Sequence, residues 1–248
     1  MDHREYCDAL EIEINRFAEV LETASLDAAV PGCPDWSVRD LALHLGTVHR
    51  WAENLVANVA PHYRSPTSMG FTSEPVSRTW ICEGGAQLLA TLRAGDPNEP
   101  MWAWGADQHL GWWSRRQLHE TLVHRMDLET ACGASSDVPT EIAADAIDEF
   151  LVNLKCAEVF SPQVRELRGA GEVLQIHATD ANESWSIRFI AEGFEVTEDV
   201  IPGEAAFSGP AVALLLVLYR RLTLAATVVT VTGRQELADF WLAHSALE

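Results

Sequence analysis

The hydrophobic period changes once along the chain, near Ser161-Pro162, and that change limits the folds open to it. Before it, apolar residues recur every three or four positions, the spacing that places them on one face of an α-helix. Tyr6, Leu10, Ile14, Phe17, Leu21 and Ala24 form one such stripe and predict a helix over about residues 3–24. Pro31, Gly32 and Pro34 break the chain. A second helix starts after Ser37, where Ser37 and Asp40 make an S-x-x-D capping pattern. Its apolar face is Leu41, Leu45, Val48, Ala52, Leu55 and Val59. Residues from Pro61 to Pro75 read as a loop. A third helix, at about 77–94, is weakened by Gly84-Gly85, each costing about 1 kcal/mol relative to alanine.

The fourth helix carries the clearest start and stop signals. Ser114 and Gln117 form an S-x-x-Q box with Trp113 and Leu118 at the staple positions, and Gly133 occupies the usual C′ place. A fifth helix covers about 139–159, turning Ile142, Ala146, Phe150, Leu154 and Ala157 inward. Past Ser161-Pro162, Val173–Thr179 and Ser184–Ile190 alternate, with Trp185, Ile187 and Phe189 on one face. A short strand near Glu195, an apolar helix at about 209–221, a strand at Val228–Val231 and a last helix at about 234–245 follow. The expected architecture is an α+β protein of two domains. A helix bundle occupies residues 1–160, and a small α+β domain occupies 165–248.

The formal charge of −20 argues against nucleic acid or an anionic membrane as partner, because both demand a basic footprint. The apolar run Ala211–Tyr219 is too short to span a bilayer, and the polar N-terminus does not read as a secretory signal. Five scattered cysteines, never spaced C-x-x-C, read as reduced thiols rather than zinc ligands or disulfides. The cytoplasm is the expected compartment. Trp102, Trp104, Trp112 and Trp113 cluster just before the fourth helix. They read as a packed aromatic loop or as the wall of a ligand pocket.

Three side chains can carry chemistry. His44 faces inward with Leu41, Leu45 and Val48, so its imidazole needs a hydrogen-bond partner or a metal. On the fourth helix Glu120 and His124 are spaced i, i+4 and share a face, with Asp127 one turn further on. HETLVH fails the zinc-protease pattern H-E-x-x-H. His119 and His124 are five apart and point about 140° from one another on a helix. Two imidazoles and one carboxylate suit zinc in a three-ligand, open arrangement, and equally nickel or iron(II).

Two stretches carry a more specific signal. WSVRDLALHLGTVHRW, from Trp36 to Trp51, and RRQLHETLVHRMDLE, from Arg115 to Glu129, resemble the two ordered motifs of the mycothiol-dependent maleylpyruvate isomerase family. The resemblance implies a DinB-like N-terminal bundle and a smaller α+β C-terminal domain. It puts the metal ligands on His44, Glu120 and His124, and an active-site arginine on Arg221. The family has Gly-Arg where this chain has Arg220-Arg221. Arg125 and Asp127 are candidates to orient the ligands.

The resemblance further implies a divalent metal, zinc first, with mycothiol as thiol cosubstrate and a small-molecule electrophile as substrate. The thiolate would add to the electrophile and isomerise a cis double bond by addition and elimination. Two other readings stand beside it. One is a mycothiol S-transferase in detoxification or natural-product biosynthesis. The other is a metal-stabilised binding protein without turnover, in which a fourth protein ligand such as His49 or His119 would close the site. The oligomeric state, monomer or homodimer, is left open.

Overall fold

A computed structural model describes residues 1–66, 76–197 and 199–246. The chain divides into two compact units, Met1–Ser136 and Asp137–Glu248. Among the described residues no helix is long and apolar enough to cross a membrane.

The first unit is a bundle of four helices: α1 (His3–Thr23), α2 (Val38–Ala57), α3 (Arg78–Ala94) and α4 (Leu110–Ala131). Each of the first three begins on a residue whose side chain satisfies amides that the first turn leaves open. Asp2 and Glu5 exchange hydrogen bonds in a capping box at α1. Ser37 and Asp40 do so at α2, where sequence placed them. Ser77 caps α3 by accepting from Trp80 N at 3.1 Å. The Gly84-Gly85 pair, costly in an isolated helix, sits at a close approach, since a Cβ on Gly85 would meet Ile14 Cγ2 at 2.7 Å.

The start of α4 differs from expectation. The helix begins at Leu110, a full turn before Ser114, and its N-cap residue His109 makes no side-chain capping bond. An isolated antiparallel bridge between Pro100 and His109 sets this start from outside the helix. Ser114 is fully buried, donates to Gly111 O at 2.9 Å and lies 2.9 Å from His3 Nδ1. It ties α4 to α1 instead of capping.

Residues 61–66 of the expected loop have no regular structure, and 67–75 lie outside the described residues.

The second unit opens with α5 (Thr140–Leu154), followed by 3-10 turns at Lys155–Val159 and Pro162–Glu166. Five strands follow: β1 (Val173–Ala178), β2 (Glu183–Ile190), β3 (Gly193–Thr197), β4 (Ala205–Gly209) and β5 (Thr230–Gly233). They form one sheet in the order β3-β2-β1-β4-β5. Among the described residues only β1 and β4 pair in parallel. Trp185, Ile187 and Phe189 are buried together, as their alternation requires.

Two helices complete the unit, α6 (Ala211–Leu218) and α7 (Gln235–His244). The sequence reading placed the fifth helix with the bundle. It belongs instead with the second unit, where Phe150 packs on Tyr219 at 5.0 Å and Asp148 accepts from Trp185 Nε1 at 3.2 Å. Strand β4 was missed because AAFSG offers a single large side chain, too little alternation to register as a strand.

Three helices end in the same hydrogen-bonded turn, in which the C′ residue takes a left-handed backbone. At α4 that residue is Gly133, φ 73°. At α2 it is Val59, φ 43°, with Ala60 N donating to Leu55 O at 2.9 Å. At α6 it is Arg220, φ 57°, with Arg221 N donating to Leu216 O at 2.8 Å. A β-branched residue pays a steric cost in this conformation that glycine does not. Val59 is 38% exposed, so little burial is lost with its side chain. Val59→Gly should therefore stabilise the protein by about 1 kcal/mol, once the greater freedom of unfolded glycine is subtracted. Urea denaturation checks this, and an unchanged or lower midpoint would contradict it.

Candidate metal centre

Helices α2 and α4 bring the site together. His44 Nε2 lies 3.0 Å from Glu120 Oε1, and His124 Nε2 lies 3.3 Å from the same oxygen. The two imidazoles meet almost perpendicularly, with centroids 5.0 Å apart and planes at 78°. One donor atom from each of the three residues falls within 4.8 Å of the others. The i, i+4 spacing of Glu120 and His124 thus does what a helix face allows, and the α2–α4 packing adds His44 across 76 residues of sequence.

Each member is held from behind. The Arg116 guanidinium donates to the second carboxylate oxygen, Glu120 Oε2, at 2.9 Å. Trp104 lies 5.8 Å from that guanidinium, within cation–π reach. His124 Nδ1 donates to Asp127 Oδ2 at 3.1 Å, which leaves the Nε2 lone pair for the site. The Trp36 ring covers both imidazoles, 5.0 Å from His44 and 6.2 Å from His124.

Charge is tuned in the same direction throughout. Burial would raise the Glu120 carboxyl, but hydrogen bonds and charge from His124 and His44, with Arg116 beyond, hold it well below the usual carboxylate range. Burial would lower His124, yet its bonds to Asp127, Cys33 and Glu120 raise it well above the usual imidazole range. Both shifts mark a point where positive charge is favoured. Two neutral imidazole nitrogens and a carboxylate around such a point fit a divalent cation.

The other histidines near the site are turned elsewhere. His49 is fully buried and donates through Nε2 to Thr121 Oγ1 at 2.9 Å. Burial pushes its pKa down to about 3, so it stays neutral. His119 is fully buried on another face of α4. Neither joins the donor group found among the described residues.

Of the two residues expected to orient the ligands, only Asp127 does so. Arg125 is also fully buried, but one residue along a helix turns it about 100° from His124. It pairs with Glu13 of α1 and, at 2.6 Å, with Glu129.

Sequence reasoning missed Arg116, Trp36 and Cys33. Arg116 had a usable signal, an arginine four residues before a glutamate on a helix. Cys33 had none: its Sγ donates to Asp127 Oδ2 at 3.5 Å across 94 residues of sequence.

The tryptophan-rich segment is packed rather than open. Trp51, Trp102, Trp112 and Trp113 meet edge to face or tilted at 4.9–6.3 Å, and Trp113 Nε1 donates to Trp102 O. A cavity of about 640 Å³ opens instead beside His44, lined by Trp36, Asp35, Asp40, Leu43 and Val48 among others.

Arg221 lies in the second unit, part-buried just past α6, and donates to Tyr219 O at 2.9 Å. The residue before it occupies the left-handed position at which a Gly-Arg pair would put its glycine. Arg220 instead extends its guanidinium to Leu242 O, near the end of α7.

A helix bundle that gathers imidazole and carboxylate donors from two helices, followed by a small mixed-sheet unit, defines a class of two-domain protein in which such donors could hold a metal. Residues 7–129 match a sequence model described as "Mycothiol maleylpyruvate isomerase N-terminal domain", and residues 141–240 match "MDMPI C-terminal domain". The chain belongs to the mycothiol maleylpyruvate isomerase family.

The fold is similar to the crystal structure of the mycothiol-dependent maleylpyruvate isomerase. That match has a TM-score of 0.63 at 16% identity and covers 94% of this chain and 95% of the other. A histidine-to-alanine variant of that enzyme is similar at TM-score 0.59 and 15% identity, with the same coverage. Among curated proteins none matches the sequence.

The buried Arg125 cluster gives a stability prediction separate from the site. Glu13→Ala leaves a buried guanidinium short of a partner and should cost about 3–5 kcal/mol. Thermal denaturation checks this, and a change near zero would show the pair to be dispensable.

Proposed function

We infer that the chain is a metal-dependent enzyme that activates mycothiol for attack on an electrophilic small molecule. The closest fit is a cis–trans isomerisation of the maleylpyruvate type. The observation that carries the reading is the convergence of His44 Nε2, His124 Nε2 and Glu120 Oε1 on one point, within a chain of this family. Zinc held by these three donors would favour the deprotonated form of a thiol at that position.

The residues of the chain prepare that position. Asp127 fixes the tautomer and ring orientation of His124. Arg116 fixes one oxygen of Glu120, so that the other faces the imidazoles. Trp36 shields the rings from solvent on one side. The cavity beside His44 offers space for substrate. The Arg221 guanidinium, in the second unit, is of the type suited to pair with a carboxylate.

In the reaction the thiolate sulfur adds to one carbon of the cis double bond, and the π electrons move onto the conjugated carbonyl as an enolate. The bond, now single, rotates, and collapse of the enolate re-forms it as the trans alkene and expels the thiolate. The five cysteines are free, which supports work in the reducing cytoplasm.

A second reading, thiol transfer to an uncharged electrophile, is favoured by the cavity itself. Asp35 and Asp40 line it, and no lysine or arginine does so among the described residues. An acidic lining disfavours a dicarboxylate.

Purified protein should carry about one metal ion, which His44→Ala and His124→Ala remove. Asp127→Ala should weaken the affinity about 10–100-fold. Full metal content in both histidine variants would sink the assigned site. Incubation with mycothiol and a panel of electrophiles, maleylpyruvate first, separates the two reactions. A trans product with the thiol regained marks the isomerase, and a stable thioether marks the transferase.

A further inference from the structure

The His124 imidazole serves two sets of donors. Its Nε2 faces His44 and Glu120, whereas its Nδ1 lies in a second group with Asp127 and Cys33. His124 Nδ1 and Asp127 Oδ2 are 3.1 Å apart, and Cys33 Sγ and Asp127 Oδ2 are 3.5 Å apart. All three donor atoms fall within 4.8 Å of one another. Edges of a tetrahedral zinc site with nitrogen, oxygen and sulfur ligands are about 3.2–3.8 Å, given bonds of about 2.0–2.3 Å. Two of the group's edges, 3.1 Å and 3.5 Å, are close to that size.

Cys33 is held in place by backbone. It sits in the segment between α1 and α2, where Val30 N donates to Trp36 O at 2.9 Å and Trp36 N donates to Cys33 O at 3.1 Å. An antiparallel bridge between Ala29 and Ser37 closes the base of this loop. Cys33 is part-exposed, while His124 and Asp127 are 8% and 2% exposed. The group therefore joins two buried residues to one nearer the surface.

We propose that Cys33, His124 and Asp127 form a second, sulfur-containing metal site that takes a thiophilic ion such as Cd²⁺, Zn²⁺ in excess or Cu⁺. Sulfur gives it a preference that the oxygen and nitrogen donors of the first group lack. Cys33 binds as thiolate, with its proton released to solvent. An ion on Nδ1 also displaces the proton that His124 donates to Asp127, which passes to solvent. Filling the second group therefore undoes the orientation on which the first depends, and thiophilic ions act on the protein as antagonists of its own site.

The test is a Cd²⁺ titration of the full chain, freed of metal by chelation and followed by the ultraviolet charge-transfer absorbance of metal-bound thiolate. Absorbance should rise and saturate in the wild type, vanish in Cys33→Ser and in Cys33→Ala, and persist in Glu120→Gln. Asp127→Asn should need about tenfold more Cd²⁺. Unchanged helical circular dichroism qualifies each variant, and two substitutions at Cys33 guard against one that misfolds. The assignment fails if the wild type shows no such band, or if both Cys33 variants keep it undiminished. It also fails if Glu120→Gln abolishes the band. None of these readouts depends on turnover, so the result stands apart from the proposed reaction.

Discussion

The Glu120 carboxylate is the constraint around which the bundle is arranged. One of its oxygens is fixed by Arg116 and the other is shared by two imidazoles. A carboxylate in a part-buried seam is costly unless hydrogen bonds and positive charge offset its lost hydration. The surroundings supply both, and the carboxyl remains ionised as a result. Arg116 in turn lies against Trp104, which extends the arrangement from the site into the aromatic segment preceding α4.

Helix α4 bears most of this load. It is buried over most of its circumference, although it carries Ser114, Arg116, Gln117, His119, Thr121, His124, Arg125, Asp127 and Glu129. A buried helix with so many polar residues needs a partner for each, and different faces find different partners. Toward α1, Arg125 is neutralised by Glu13, with Glu129 from its own helix. Toward α2, Glu120 and His124 meet His44, and Thr121 meets His49. The turn of about 100° between adjacent residues sends neighbours His124 and Arg125 to separate tasks. One belongs to a candidate site and the other to structural ion pairing.

The helix ends show how departures from an expected residue are absorbed. Three helices close with the same turn, yet only Gly133 occupies its left-handed position without steric cost. Arg220 gains a contact in exchange, reaching the end of α7. That exchange accompanies a residue other than glycine in the left-handed position before Arg221.

Much of this protein was legible in its residues, for local reasons. Helical period, capping pairs and strand alternation depend on neighbours within a few positions, so α1, α2, α3, β1 and β2 emerge close to their observed bounds. Pairing Glu120 with His124 is equally local, since one helical turn joins them. The start of α4 was misjudged because a bridge formed outside the helix overrides the S-x-x-Q pattern. The fifth helix changed units for a similar reason: its partners Trp185 and Tyr219 lie far along the chain. His44 opposite Glu120, Arg125 turned away and Cys33 beside Asp127 are contacts between distant segments. No spacing in a sequence encodes them, because they exist only once the helices pack.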